Sequence, residues 1–329
     1  MQNKKITIGL IGFGYWGPIL LRNFHNNENF EVLKVCDHNS EKLSNVVDIS
    51  KNIKTCLDYK DILKDKEIDT VVIDTQARSH YSLIREALIN NKNIFVEKPF
   101  TLSSKEALDI IKLNQKKKKI IMVDHSYLFT PQYRILKKLI KNKYLGNILH
   151  FHSTRADFGL FQKDTNILWH LLYHDAYILL DLFGKQKITN IKTSGFSHIV
   201  DKVADTAYTS FQYDSGFSAE VLVNMLFPVK ERKIVITGTK RILYWDDTAA
   251  DKLKIYNKSA VFDTKSKTFK YKLEKDFETV AVPKAEAIKT EVEYFSNCLK
   301  NKITPANDEN SAYSVVKLIE KLESSVHKN

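Results

Sequence analysis

Two different rhythms of apolar positions run along this chain, and they change over near residue 126. Before that point, short runs rich in Val and Ile alternate with longer stretches whose apolar residues recur at helical spacing. This alternation predicts βαβ units around a parallel sheet. Strands are predicted at ITIGLI (6–11), EVLKVC (31–36), DTVVID (69–74), NIFVE (93–97) and IIMVD (120–124), with helices over 16–26, 40–47, 59–63, 79–90 and 103–115. Ser103 followed by Glu106 has the spacing of a capping box and marks the start of the last helix.

Beyond that point the pattern is different. A helix is predicted over 132–141, LGNILHFHSTRADF reads as a turn followed by a strand, and 169–183 reads as an amphipathic helix. From about residue 187 to 282 come the β-rich runs ITNIKTSGF, AYTSFQY, FSAEVLVNM, KIVITG and KLKIYN, separated by short turns carrying Asp, Gly and Ser. They predict an antiparallel sheet of five or more strands. Helices over 286–299 and 310–324 close the pattern, with neither an internal repeat nor a low-complexity linker. The expected organisation is a first, α/β domain over 1–126 and a second, α+β domain with an open, mainly antiparallel sheet over 127–329. The last helices are placed to pack back on the first domain.

Composition narrows the class. Hydrophobic residues are 43% and charged residues 27% of the 329, ordinary for a globular chain with real cores. No run approaches the roughly 18 apolar residues of a membrane helix, and MQNKKITIGL enters a strand pattern without a signal-peptide core, so a cytoplasmic location is expected. The formal net charge is +12, but the lysines are scattered; the one dense run, 116–119, lies at a predicted helix end, where cations meet the negative end of the helix dipole. Neither a nucleic-acid nor a membrane partner is expected from that distribution. Cys36, Cys56 and Cys298 are far apart in sequence, lack CxxC spacing and are read as packing residues, with no metal site.

The first chemical signal is GFGYWG. Gly12, Gly14 and Gly17 form a GxGxxG directly after the first strand and open a helix, with Phe13, Tyr15 and Trp16 between them. In that context the first glycine permits a tight turn, the second lets the backbone approach a pyrophosphate, and the third lets helix and strand pack. Asp37 closes the second strand, where a carboxylate accepts hydrogen bonds from the adenosine ribose; it favours NAD, while His38 and Lys42 nearby keep NADP open. These are the marks of a Rossmann dinucleotide-binding domain.

The glycine loop, Thr75 and His80 in DTQARSH, and the triplet Glu97-Lys98-Pro99 together resemble the glucose-fructose oxidoreductase, inositol dehydrogenase and rhizopine catabolism (Gfo/Idh/MocA) family. The resemblance covers nearly the whole chain. The later stretch ADFGLFQKDTNILWHLLYHD resembles a branch associated with sugar and nucleotide-sugar metabolism. It implies that Lys98 is the active-site lysine, that a cis peptide bond precedes Pro99, that Glu97 contacts the nicotinamide side, that Thr75 and His80 line the dinucleotide's path, and that His174 is the catalytic histidine. In this family the His170 position more often holds Asp, so a fixed negative charge is not available there.

The residues themselves support the same chemistry. Thr75, Lys98 and His125 follow the carboxyl ends of predicted parallel strands, where ligands of open α/β sheets bind. Moving a hydride from a secondary alcohol also requires a base at the hydroxyl and a cation for the developing alkoxide. Lys98 suits the cation, and His174, supplied by the second domain, suits the base. His170 lies four residues earlier on the same predicted helix face. Tyr127, Arg155, Asp164 and Asn166 are candidates for reading the substrate, with Tyr127 equally suited to the core, and Trp169 is assigned to packing. The expected activity is an NAD(P)-dependent oxidoreductase acting on a sugar or nucleotide sugar, the alternative being a non-catalytic NAD-binding regulatory or partner protein. A homodimer or homotetramer through the C-terminal sheet is expected, because an apolar outer sheet face needs cover.

Overall fold

The computed structural model describes residues 4–159, 161 and 165–326. Its contacts divide the chain into two compact units. The first comprises Met1–Phe129 with Glu286–Lys317, and the second Thr130–Ala285 with Leu318–Asn329. The first break thus falls three residues beyond the expected boundary.

The first unit holds six parallel strands: β1 (Ile6–Ile11), β2 (Phe30–Cys36), β3 (Lys54–Cys56), β4 (Thr70–Ile73), β5 (Asn93–Val96) and β6 (Ile121–Val123). Their order is β3-β2-β1-β4-β5-β6, the doubly wound arrangement whose strand order reverses between β1 and β4. Strand β3 escaped the sequence pattern because it is three residues of an exposed edge, KTC, with no apolar run. Helices α1 (Gly17–His25), α2 (Ser40–Leu43), α3 (Val46–Ile49), α4 (Lys60–Leu63), α5 (Ala77–Ile89) and α6 (Ser104–Lys117) follow the strands. Ser103 caps α6 by accepting the Glu106 N–H, as the capping box predicts, and Lys116 and Lys117 stand in its last turn. Cys36 and Cys56, far apart in sequence, are register partners on β2 and β3; both remain free thiols.

Later in the chain, α9 (Ala287–Asn301) buries Ile288, Val292 and Phe295 in the core of this same unit. Phe295 meets Phe24 of α1, Phe30 of β2 and Phe95 of β5 at centroid separations of 6.5, 6.3 and 5.5 Å. An aromatic cluster of this kind contributes through area buried and through edge-to-face contacts.

The second unit opens with α7 (Pro131–Lys141) and is built on eight strands. These are β7 (Ile148–Phe158), β8 (Ile188–Phe196), β9 (Thr206–Tyr213), β10 (Ser218–Asn224), β11 (Leu226–Gly238), β12 (Ile242–Asp246), β13 (Leu253–Asp263) and β14 (Thr268–Val280). Their order is β14-β13-β12-β11-β7-β10-β9-β8, antiparallel except where β7 and β10 run parallel. Strand β14 lies within the β-rich stretch expected up to residue 282; Phe269, Tyr271 and Leu273 alternate with Lys270 and Lys272, although the strand is exposed along almost its whole length.

One face of this sheet carries Phe151, Phe211, Ala219, Val221, Ile234 and Ile236, all buried. The opposite face is mixed: Glu220 joins the His152 ring at 2.8 Å and the Tyr208 hydroxyl, and His150 joins Ser218 at 2.8 Å, beside partly exposed Leu222, Val235 and Tyr244. Exposed apolar residues also gather on the β13–β14 hairpin, at Val261, Phe262, Phe269, Tyr271, Leu273 and Phe277. A π-helical turn, Leu168–Leu172, leads into α8 (Tyr173–Phe183), where the sequence predicted one uninterrupted helix. The last helix, α10 (Glu309–Val326), is divided between the units at Lys317. No helix among the described residues is long and apolar enough to cross a membrane.

Candidate functional site

The carboxyl ends of the first unit's strands carry a regular series. Asp37, Asp74, Glu97 and Asp124 each stand one residue past a strand, and Thr75, Lys98 and His125 stand two past β4, β5 and β6. The parallel sheet therefore brings these side chains to one edge.

At that edge the glycine loop has the form a dinucleotide requires. Gly12 adopts φ +95°, and a Cβ there would lie 1.9 Å from the Asp74 carbonyl oxygen, so no larger residue fits without moving backbone. A Cβ on Gly17 would come within 2.9 Å of the Phe13 ring, which is why helix and loop pack closely. Gly14 meets nothing nearer than 4.0 Å, leaving its outer side open to a ligand. Helix α1 starts with Trp16 as N-cap and Pro18 in its first turn, with no side-chain cap and no acidic residue. Its first N–H groups are thus kept for an anion, as a pyrophosphate site demands.

Asp37 is 6% exposed; its Oδ2 accepts the Phe13 N–H at 2.8 Å and its Oδ1 the Asn39 N–H at 2.8 Å. Each carboxylate oxygen keeps further lone-pair capacity for a ribose hydroxyl. His38 Nδ1 stands 3.4 Å and Lys42 Nζ 3.9 Å from the same carboxylate. Tyr15 and Trp16 are exposed on the loop at 82% and 39% and pack edge to face, while Phe13 is buried. These residues fit NAD, which the loop's backbone, Asp37 and the α1 N-terminus would hold.

Lys98 is half-buried; its N–H donates to Glu97 Oε2 at 3.2 Å, and the Lys98–Pro99 peptide is cis, as the resemblance implied. Glu97 is buried, and burial, followed by the neighbouring Asp124 carboxyl, pushes its pKa well up. His80 is wholly buried with Nδ1 2.7 Å from the Pro99 carbonyl and Nε2 3.0 Å from the Thr75 carbonyl, and burial lowers its pKa. Its contacts are with backbone, so it holds the segments bearing Thr75 and Lys98 in place. Thr75 accepts the Ser79 hydroxyl at 2.7 Å. Tyr127 is 9% exposed on a 3₁₀ turn, Ser126–Phe129.

Sequence reasoning missed the carboxyls behind this edge. Glu291 of α9 is fully buried; its Oε1 accepts the His125 N–H at 3.2 Å and the Asn307 amide at 3.1 Å. Burial and then Asp124 push its pKa well up, while burial lowers the His125 pKa to about 3. For Asp74 and Asp124 the available signal was that DTVVID and IIMVD each end in an acid.

In the second unit, His170 and His174 are both half-buried. His170 Nε2 lies 2.8 Å from the Thr165 hydroxyl, and His174 Nδ1 3.1 Å from the Tyr177 hydroxyl. Their neighbours serve the fold. Asp175, fully buried, accepts the Arg155 Nε–H at 2.7 Å and the Ser153 hydroxyl at 2.7 Å. Arg155, expected to read substrate, is 4% exposed in this ion pair. Asn166 accepts the Leu168 N–H at 3.0 Å, and its amide joins the Trp169 indole N–H on Glu323. It thereby fastens the π turn. Asp164 lies outside the described residues. Among the described residues no cluster of His, Cys, Asp and Glu could hold a metal ion.

Comparison with known proteins bears on this arrangement. Residues 6–125 match the family model described as "Oxidoreductase family, NAD-binding Rossmann fold", and residues 133–244 match the "GFO/IDH/MocA C-terminal domain". An inositol 2-dehydrogenase/D-chiro-inositol 3-dehydrogenase from Lactiplantibacillus plantarum is 24% identical over 245 residues, 69% of this chain and 67% of that protein. A UDP-N-acetylglucosamine 3-dehydrogenase structure from Acidithiobacillus ferrooxidans aligns with TM-score 0.83 at 20% identity, covering 98% of each chain. A levoglucosan dehydrogenase complexed with NADH and levoglucosan aligns with TM-score 0.83 at 17% identity, covering 99% of this chain and 98% of that one.

Proposed function

Because this chain belongs to the Gfo/Idh/MocA oxidoreductase family and its first unit is an NAD-binding Rossmann domain, we propose that it oxidises or reduces a secondary alcohol or ketone on a nucleotide sugar. The observation that carries the reading is the shared strand-end edge of the glycine cradle, Asp37 and Lys98. In the oxidising direction the alcohol loses a hydride from carbon and a proton from oxygen, giving a ketone, NADH and H⁺. The nicotinamide supplies the hydride acceptor.

The protein's own groups handle the rest. Lys98 holds its ammonium against the reacting oxygen and stabilises the developing alkoxide. His174, held through Nδ1 by Tyr177, takes the hydroxyl proton at Nε2. His170 binds a substrate hydroxyl, its neutral ring acting as donor or acceptor where a carboxylate would only accept. Arg155 and Asn166 fix the helix that presents both histidines. The net charge of +12 favours a substrate with phosphates, and the fold shared with a UDP-N-acetylglucosamine 3-dehydrogenase points the same way. We further propose a homo-oligomer joined through the C-terminal sheet, with the exposed β13–β14 hairpin taking part; light scattering that gives a monomer mass defeats it.

A thermal-shift series tests the reading: NAD, NADH, NADP and NADPH alone, then each with UDP-, GDP- and dTDP-sugars and with myo-inositol. A ligand at a hundredfold excess over its Kd stabilises by about 2.7 kcal/mol. A dinucleotide shift enlarged by one nucleotide sugar is expected. Enlargement by inositol alone moves the substrate class to cyclitols, and enlargement by none favours a non-catalytic NAD-binding protein.

A further inference from the structure

We propose that Asp74 takes up a proton when the dinucleotide binds, so that this one carboxyl sets the upper pH limit of cofactor binding. The inference rests on the glycine cradle and on nothing assumed about the substrate. Asp74 stands at the end of β4, next to β1 where the strand order reverses. Its Oδ2 is buried without a hydrogen-bond partner of good geometry. The same oxygen lies 3.2 Å from where a Cβ on Gly17 would stand and 4.0 Å from one on Gly14. The carboxyl is therefore pressed against the first turn of α1, beneath the loop shaped to receive the pyrophosphate.

The groups facing it are acidic. Asp37 approaches from β2, Glu97 from β5 and Asp124 from β6, while the first turn of α1 brings no charged side chain. Burial is the main cause that pushes the Asp74 pKa up, to about 7, with Asp124 and Asp37 adding to it and the Gly17 and Gly14 amides opposing. A pyrophosphate at this turn adds two negative charges and engages those same amides. Both changes disfavour the carboxylate, so the complex holds the proton to a higher pH than the free protein does.

The sign follows from linkage. Below about 7 Asp74 is already protonated and binding moves no proton. Above that value binding takes up as much as one proton, and affinity falls by up to tenfold per pH unit. NADH itself has no group that titrates in this range.

The test is calorimetric titration with NADH at about pH 6, 7 and 8, each in two buffers of different ionisation enthalpy, on the full chain. Wild type is expected to take up a fraction of a proton that grows between pH 7 and 8 while its affinity drops. Asp74→Asn, isosteric and neutral, is expected to match wild type at pH 6 and to lose both effects. Asp124→Asn removes a facing negative charge and is expected to shift the onset to lower pH; melting curves establish that each variant is folded. Equal proton uptake by wild type and Asp74→Asn overturns the proposal, and so does wild-type affinity that is flat from pH 6 to 8.

Discussion

The strand-end edge of the first unit and the helix start in the second place chemistry-bearing side chains in opposite ways. At the strand ends the parallel sheet delivers successive residues of β4, β5 and β6 to the same edge, and their carboxyls crowd one another. Asp74, Glu97 and Glu291 accordingly have raised pKa values. Around α8 and its sheet the acids are satisfied individually: Asp175 by Arg155 and Ser153, Asp205 by His198, Glu220 by Tyr208 and His152. Hydrogen bonds hold the Asp205 and Glu220 pKa values down against burial. The first region stores unfavourable charge where a ligand binds; the second spends its polar residues on rigidity, leaving two histidines half-buried.

The sharpest way to break that contrast is in the second unit. Arg155→Ala leaves Asp175 buried without its cation, which costs about 3–5 kcal/mol. Tm should fall steeply while NADH affinity of the folded protein stays the same. A loss of substrate affinity without a loss of stability would return Arg155 to the substrate-reading role the sequence suggested. In the first unit, Lys98→Ala should lower kcat by about 10²–10³, a barrier increase of roughly 2.7–4 kcal/mol, with the fold intact. Its NADH Kd should stay within about threefold of wild type, which separates a catalytic from a structural lysine.

What could be read from the chain follows the same contrast. Gly12, Gly14, Gly17 and Asp37 were legible because each answers a backbone requirement at fixed spacing, and the cradle's geometry shows the same requirements. The cis peptide before Pro99 was legible through the Glu-Lys-Pro triplet. Arg155 and Asn166 were chosen by residue type and position alone, and type does not distinguish a substrate contact from a buried pair formed with a residue twenty positions away or with one on the last helix. The π turn before His174 left no apolar period of its own. Glu291 was invisible because its partners, Asp124, His125 and Asn307, come from distant segments. Strand β3 was missed because three residues of an exposed edge carry no burial pattern.

Smaller effects sharpen the comparison. Asn166→Ala removes the acceptor for the Leu168 N–H and should cost about 1 kcal/mol, as loss of a helix cap does. The pH dependence of stability should differ between the regions. Carboxyls with raised folded-state pKa values stabilise below the unfolded value, about 4, and lose that contribution as pH rises through the folded value, about 7 for Asp74. Those with lowered values, such as Asp205 and Glu220, contribute above about 4 and lose it as pH falls through the folded value. Glu291→Gln should therefore flatten the decline of Tm as pH rises above about 4, and Glu220→Gln should flatten the decline on the acid side. Reversed slopes in melting curves would refute the assignment.

Hydride transfer between nicotinamide and a sugar's secondary alcohol is followed by NADH absorbance with NAD and a panel of UDP-, GDP- and dTDP-sugars, inositols and anhydro-sugars, wild type beside Lys98→Ala. NADH formation is expected with one nucleotide-sugar class, with one ketone produced per NADH and near-complete loss in the variant. Tight NADH binding without turnover of any alcohol in the panel, or turnover undiminished in Lys98→Ala, would contradict it.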